Sequence, residues 1–415
     1  MKTMSGGSAA SWATGGVSGS AGRDRVAWAA AQMPVLARIG ERFAAQQPLR
    51  GIQIAACLHI TAETANLTQV LCGAGAEVML CAANPLATQD DVVTALKLEQ
   101  GVTVDARRGD DFAHYEAGIT DVVARVSATG DRWLALDDGG ELLAAAHRNG
   151  TTADLIGGTE ETSTGLTRLR RLHAETGLSC PVLALNEALT ERELNDRHGT
   201  GQSALDGIIR ATNLLLAGRS VVVIGYGRAG QGVAERARGG GAAVIVCEAD
   251  PLRALAARMS GYAVMPIAEA AALGDVFITV TGERRVLRAE HFELMKDGAV
   301  LANAGRFDVE IDLESLLALD SEPRRVRPLV DQYTLSDGRR LNLLALGQVV
   351  NLAAADGYPA AVMDISFSLH ALAVERLLAD PPLAPGIQPV PLELDREVAG
   401  LKLASLGVAF DAPGD

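Results

Sequence analysis

The sequence predicts an α/β fold built as two units, the second inserted between two parts of the first. Three observations point to it. From Arg23 to about Leu185, β-branched runs such as GIQIAACLHI and GAEVMLCAA alternate with helical stretches and have glycine at their turns. A second series opens at SVVVIGYGRAGQGVAERARGGGAAVIVCEAD, where a strand-length apolar run meets a glycine loop, a helix and another strand ending in an acid. After about Val350, NLAAADGYPAAVMDISFSLHALAVERLLA reads as a helix that returns to the first unit. The boundaries drawn from this are a disordered leader at 1–22, the first unit at 23–195, the inserted unit at 196–350, the return at 351–385 and a C-terminal tail at 386–415.

Bulk properties agree with a globular chain. Its 415 residues suit two domains, and 48% are apolar without a run of about eighteen that lacks polar interruption. The leader, rich in Gly, Ser and Ala, lacks the charged start and apolar core of a secretion signal. Five scattered cysteines, without CxxC spacing or histidine companions, indicate neither a disulfide framework nor zinc, and no metal is expected. A cytoplasmic protein is therefore expected, with no membrane segment. A formal charge of −14 without a basic block argues against nucleic acid and for small-molecule partners.

The glycine loop carries the first chemistry. Gly225, Gly227 and Gly230 follow the strand at 220–224 and open a helix, and Glu248 ends the next strand about 20 residues on. Backbone N–H groups at such a helix start hold a pyrophosphate, while the acid takes ribose hydroxyls and repels an extra phosphate. NAD is the expected cofactor. DVFITVTG and GAVLANAG, ending in Thr, Gly and Asn, extend the same sheet towards a ligand at its carboxyl edge.

Over residues 24–410 the chain resembles the S-adenosyl-L-homocysteine hydrolases, through CLHITAET, LDDGGEL, EETSTG, HGTGQSALDGIIRATN, VIGYGRAGQG, MKDGAVLANAGRFDVEID and VVNL in that order. The resemblance implies a substrate domain hinged to a Rossmann domain, and a homotetramer. It also implies a redox-neutral reaction: a ribose hydroxyl is oxidised, the adjacent C–H proton leaves, the 5′ substituent departs, water adds and the ketone is reduced again. Position by position, it implies Thr61 and Glu63 as adenine contacts, His59 near the leaving group, and Asp138 and Glu161 at the ribose. Thr162, Ser163, Thr164, Thr281 and Asn351 match cofactor contacts. Read without the resemblance, His59 is a packed histidine, Asp137 a turn residue and Glu160 a solvated or helix-capping acid.

The hinge NEALTERELNDRHGTGQS departs from that pattern. Glu191 stands where the family has Lys, and Asn195 and Asp196 stand where it has Asp and Asn. On the homocysteine side Arg306 and Tyr358 replace histidines, and Leu346 replaces a glutamate. The resemblance implies a terminal segment whose Lys and Tyr reach a neighbouring subunit's NAD, where this sequence reads LGVAFDAPGD.

These departures suggest a changed substrate, with Glu191 moving protons in place of the Lys and Arg306 able to hold a carboxylate in exchange. The expectation is an NAD-dependent dehydratase of an adenine nucleoside, such as psicofuranine going to decoyinine in nucleoside antibiotic assembly. A hydroxide leaving group would then need on the order of 10 kcal/mol more help than a thiolate. The alternatives are an ordinary adenosylhomocysteinase and a non-catalytic NAD- and adenosine-binding relative.

Overall fold

The computed structural model describes residues 19–305, 309–320 and 322–411. In the first half, apolar runs form six strands: β1 (Gln53–Leu58), β2 (Glu77–Ala82), β3 (Val102–Asp105), β4 (Trp133–Asp137), β5 (Leu155–Glu160) and β6 (Pro181–Ala184). The second half supplies β7 (Ser220–Ile224), β8 (Ala243–Cys247), β9 (Ala263–Val264), β10 (Val276–Thr279) and β11 (Ala299–Asn303), then β12 (Arg324–Arg327), β13 (Val330–Thr334) and β14 (Arg340–Leu344). A last strand, β15 (Gly386–Pro389), rejoins the first sheet. The α/β class and the inserted Rossmann unit expected from the sequence are both present.

The first sheet is parallel throughout, in the order β15-β6-β5-β4-β1-β2-β3. The second runs β12-β13-β14-β11-β10-β7-β8-β9, with the β12–β14 edge antiparallel and the remainder parallel. In each, chain order reverses between two neighbouring parallel strands, β1 and β4 in one sheet, β7 and β10 in the other. Crossovers diverge at such a point and leave a crevice at the carboxyl ends, where ligands bind.

Burial on both faces explains why these strands read as continuous apolar runs rather than alternating ones. All six residues of β1 and all five of β4 are buried. Helices therefore cover both sides of each sheet. The helix Ala360–Leu378 buries thirteen of its nineteen residues, which makes it a core element rather than a surface one. It packs on β5 and on the helices Pro34–Gln46, Ala62–Gly73 and Leu392–Ser405.

One buried acid ties three of these helices together. Pro34–Gln46 begins with proline and has no side-chain cap of its own. Instead the Val35 and Leu36 amides donate to Asp364 of the long helix, at 3.3 and 2.9 Å, and Lys402 of Leu392–Ser405 donates to it at 2.8 Å. Residues 386–405, read from sequence as tail, are thus a strand and a helix integral to the first unit. Residues 19–22, read as leader, begin the helix Gly19–Ala30. Among the described residues no helix is long and apolar enough to cross a membrane.

Replacing Asp364 by alanine would leave two helix-start amides and an ammonium without their buried acceptor. Asp364→Ala is expected to cost about 3–5 kcal/mol, read as a lower midpoint in thermal and urea unfolding of the apoprotein.

Candidate active site

The two crevices open on one cleft of about 1140 Å³, lined from both sheets. On the first sheet His59 follows β1 and Asp138 follows β4, the neighbours at which strand order reverses. Their Nε2 and Oδ2 atoms are 3.2 Å apart. Burial raises the Asp138 carboxyl, and the adjacent imidazole works against that rise. Thr61 caps the helix Ala62–Gly73 and, with Glu63 in its first turn, lines the cleft beside them. Burial also raises the Glu63 carboxyl, opposed by a hydrogen bond from Thr61.

Glu161 follows β5 and is held from below by the long helix. Ser366 donates to its Oε1 at 2.9 Å and His370 Nε2 lies 3.0 Å from its Oε2, while Thr159 meets His370 Nδ1 at 3.1 Å. Burial alone would raise Glu161, but the bond from His370, its charge and the Ser366 hydroxyl hold the carboxyl below its ordinary range. Ser366 and His370 escaped the sequence reading, although a serine and a histidine four apart in an apolar helix share one face.

Glu160, one residue earlier, points the opposite way, as strand alternation requires. It accepts from the Gly139 amide at 3.0 Å, the Thr162 amide at 2.8 Å and the Thr162 hydroxyl at 2.6 Å. This buried acid clamps two loops and is not solvated. Asp137 likewise turns from the cleft to accept from the Leu143 amide at 2.8 Å, and burial pushes its carboxyl up to about 7. Thr162 caps the helix Ser163–Thr176, which presents Ser163 and Thr164 to the cleft.

The hinge is a π-helical turn, Glu191–Gly199, a geometry that recurs at functional sites. Its start is pinned by Asp395 of the C-terminal helix, which accepts from the Leu189 amide at 2.7 Å and the Thr190 amide at 3.0 Å. Glu191 is 2% exposed, and Asn195 donates to its Oε2 at 2.6 Å. Burial first, then the neighbouring Glu161, pushes the Glu191 carboxyl up to about 8. Burial lifts Asp196 to about 6. Tyr358 packs on Gly199 and meets the Thr200 hydroxyl at 2.8 Å.

On the second sheet, Gly225 takes φ +101° and a Cβ there would meet the Val280 carbonyl at 2.8 Å. At Gly230 a Cβ would stand 2.1 Å from the Gly225 carbonyl, so this glycine allows close loop packing rather than lining the cleft. Gly227 differs: its Cβ position faces open cleft, with nothing nearer than Arg253 at 3.9 Å. It opens the helix Arg228–Gly239, so amides and space for a pyrophosphate coincide there. Glu248, on the cleft wall at the end of β8, accepts from the Tyr226 and Asp250 amides at 2.6 and 2.9 Å. Thr281 donates to buried Glu310 at 2.9 Å. Asn351 Oδ1 is buried on the cleft wall without a hydrogen-bond partner among the described residues. These residues fit a dinucleotide.

The cleft thus gathers His59, Thr61, Glu63, Asp138, Glu161, Thr162, Ser163, Thr164, Glu191, Asn195, Asp196, Gly225, Gly227, Glu248, Thr281, Asn351 and Tyr358. Leu346 stands exposed away from it, and Arg306 lies outside the described residues.

Two family models match: "S-adenosyl-L-homocysteine hydrolase, NAD binding domain" over residues 196–357, and "S-adenosyl-L-homocysteine hydrolase" over 17–156. The chain is 51% identical to an adenosylhomocysteinase of Gloeobacter violaceus, over 94% of this chain and 91% of that one. It is 50% identical to an adenosylhomocysteinase of Aquifex aeolicus, covering 94% and 93%. An S-inosyl-L-homocysteine hydrolase of Methanopyrus kandleri is 48% identical, covering 94% and 92%.

These similarities overturn the expected dehydratase, its lyase class and the psicofuranine-to-decoyinine assignment. That expectation weighed a few hinge and gate positions, whereas the likeness to hydrolases runs through both halves of the chain. Of the departures it weighed, Leu346 is off the cleft, whereas Glu191, Asn195, Asp196 and Tyr358 line it.

The glycine loop separates packing from ligand contact. Gly227→Ala is expected to keep the apoprotein's unfolding midpoint while weakening NAD binding at least tenfold by titration calorimetry. Gly230→Ala is expected to lower that midpoint by several degrees.

Proposed function

The chain belongs to the S-adenosyl-L-homocysteine hydrolase family, and from that premise we propose that it is an NAD-dependent hydrolase taking S-adenosyl-L-homocysteine and water to adenosine and L-homocysteine. The observation that supports this best is the single cleft in which the His59–Asp138 pair and Glu161 face the glycine loop of the NAD-binding domain. Gly225, Gly227, Glu248, Thr281 and Asn351 would hold the cofactor. Bound there, NAD supplies reversible hydride acceptance from a sugar hydroxyl.

The chain's own residues then divide the remaining work. Ionised, Glu63 accepts a hydrogen bond from an exocyclic amine, which favours adenine over hypoxanthine, whose oxygen at that place is itself an acceptor. Glu161, kept anionic by His370 and Ser366, can take a sugar hydroxyl proton. His59 can pass a proton between the 5′ sulfur and the incoming water, with Asp138 fixing its ring. A thiol's reference acidity near about 8.5 makes sulfur a leaving group that one histidine can assist.

Incubation of the NAD-loaded protein with S-adenosyl-L-homocysteine is expected to release free thiol, with adenosine appearing in equal amount by mass spectrometry. His59→Ala should lower kcat by roughly 10²–10⁴-fold. Absence of thiol release would sink the reading, and faster release from S-inosyl-L-homocysteine would reassign the base. Light scattering at the mass of four chains checks the homotetramer that accompanies it.

A further inference from the structure

Two carboxyl groups face the same end of the cleft in opposite surroundings. Ser366 donates to Oε1 of Glu161, and His370 Nε2 lies 3.0 Å from its Oε2, where a ring N–H would donate to an ionised carboxylate. Glu191 receives Asn195 on Oε2, and an amide N–H can only donate, so that oxygen carries no proton. Its Oε1 is buried without a hydrogen-bond partner among the described residues. The one hydrogen of Ser366 is directed to Glu161 and so is not offered to Glu191.

We propose that Glu161, Ser366, His370 and Glu191 form one protonation unit, in which His370 fixes the negative charge on Glu161 and Glu191 holds its proton on Oε1. Glu161 is then the base of the site and Glu191 its acid. His370 and Ser366, which do not line the cleft, are positioning residues that act through Glu161. Thr159 holds the far nitrogen of His370 and so fixes the ring.

The electrostatics run the same way. Around the two carboxyls stand Asp196 on the hinge turn, Tyr358 from the following loop, His370 on the long helix, and His59 and Asp138 at the β1 and β4 ends. Burial and the Glu161 charge push Glu191 up to about 8, whereas His370 keeps Glu161 below the ordinary carboxylate range. Environments that drive two neighbouring acids apart assign one as acid and one as base. The hydroxyl proton of the sugar passes to Glu161, and Glu191 returns a proton to the sugar oxygen when the hydroxyl is restored. Net transfer of one proton from Glu161 to Glu191 then restores the starting state.

The roles rest on the hydrolase reading, but the protonation states do not. Infrared difference spectra at pH 7 therefore test them without turnover. Wild type minus Glu191→Gln should show loss of a protonated-carboxyl band, and wild type minus Glu161→Gln should show none. The reverse pattern, or no band lost with Glu191→Gln, would overturn the proposal even if the protein hydrolyses S-adenosyl-L-homocysteine. In His370→Gln, the low-pH limb of the kcat profile should move up by at least one unit. Activity would fall about tenfold on that limb and recover at higher pH. An equal loss at every pH would reduce His370 to a packing residue and overturn its part. Failure of all turnover with the expected spectra would sink the hydrolase reading alone.

Discussion

Parallel sheets covered on both faces leave polar chemistry almost nowhere to go except the strand ends. Here that constraint acts twice, because each sheet reverses its strand order once and each reversal opens a crevice at the carboxyl edge. Placing β1 and β4 beside β7 and β10 across one cleft brings His59, Asp138 and Glu161 to face the loop that starts at Gly225. Everything specific about the site follows from filling that shared edge.

Filling it concentrates negative charge. Asp137, Asp138, Glu160, Glu161 and Glu191 lie close together, and burial alone raises the carboxyl group of each. Only Glu161 ends below its ordinary range, because it is the one held by a histidine and a hydroxyl from the long helix. An isolated buried carboxylate is too costly to remain ionised, so it either pairs or takes a proton. Asp137 and Glu160 accept backbone amides and serve as fixed loop anchors, which separates them from the acids on the cleft wall.

Much of this was legible locally. The glycine fingerprint, the acid closing β8 and the apolar runs are short-range signals that survive folding unchanged, and so is the HITAET segment with its helix cap. What could not be read depends on contacts across the chain. His370 sits among apolar neighbours and looks like a packed histidine until β5 brings Glu161 under it. The adjacent acids Glu160 and Glu161 differ only in which way the strand turns them. GIQP at 386–389 carries no strand pattern and becomes β15 through pairing with β6. The inference of a changed reaction failed for a related reason: individual substitutions at Glu191 and Asn195 do not report how much of the surrounding machinery remains.

The hinge turn shows how that machinery is coupled to both units. Its first residues hang from Asp395 of the C-terminal helix, which belongs to the first sheet's side. Further along, Glu193 pairs with Arg228 and Arg197 with Glu235, both partners lying on the helix that starts at the glycine loop. Between these two attachments stands Glu191. Its distance from Glu161 is therefore set by one unit, and its place relative to the dinucleotide loop by the other. A wide π-helical turn suits this position, because its extra residue per turn displaces Glu191 and Asn195 inward while the flanking charged residues reach outward to their partners. Substitution of the ion-pairing residues would then act on the acid's position rather than on its chemistry, which makes the turn the element through which the two units jointly define the site.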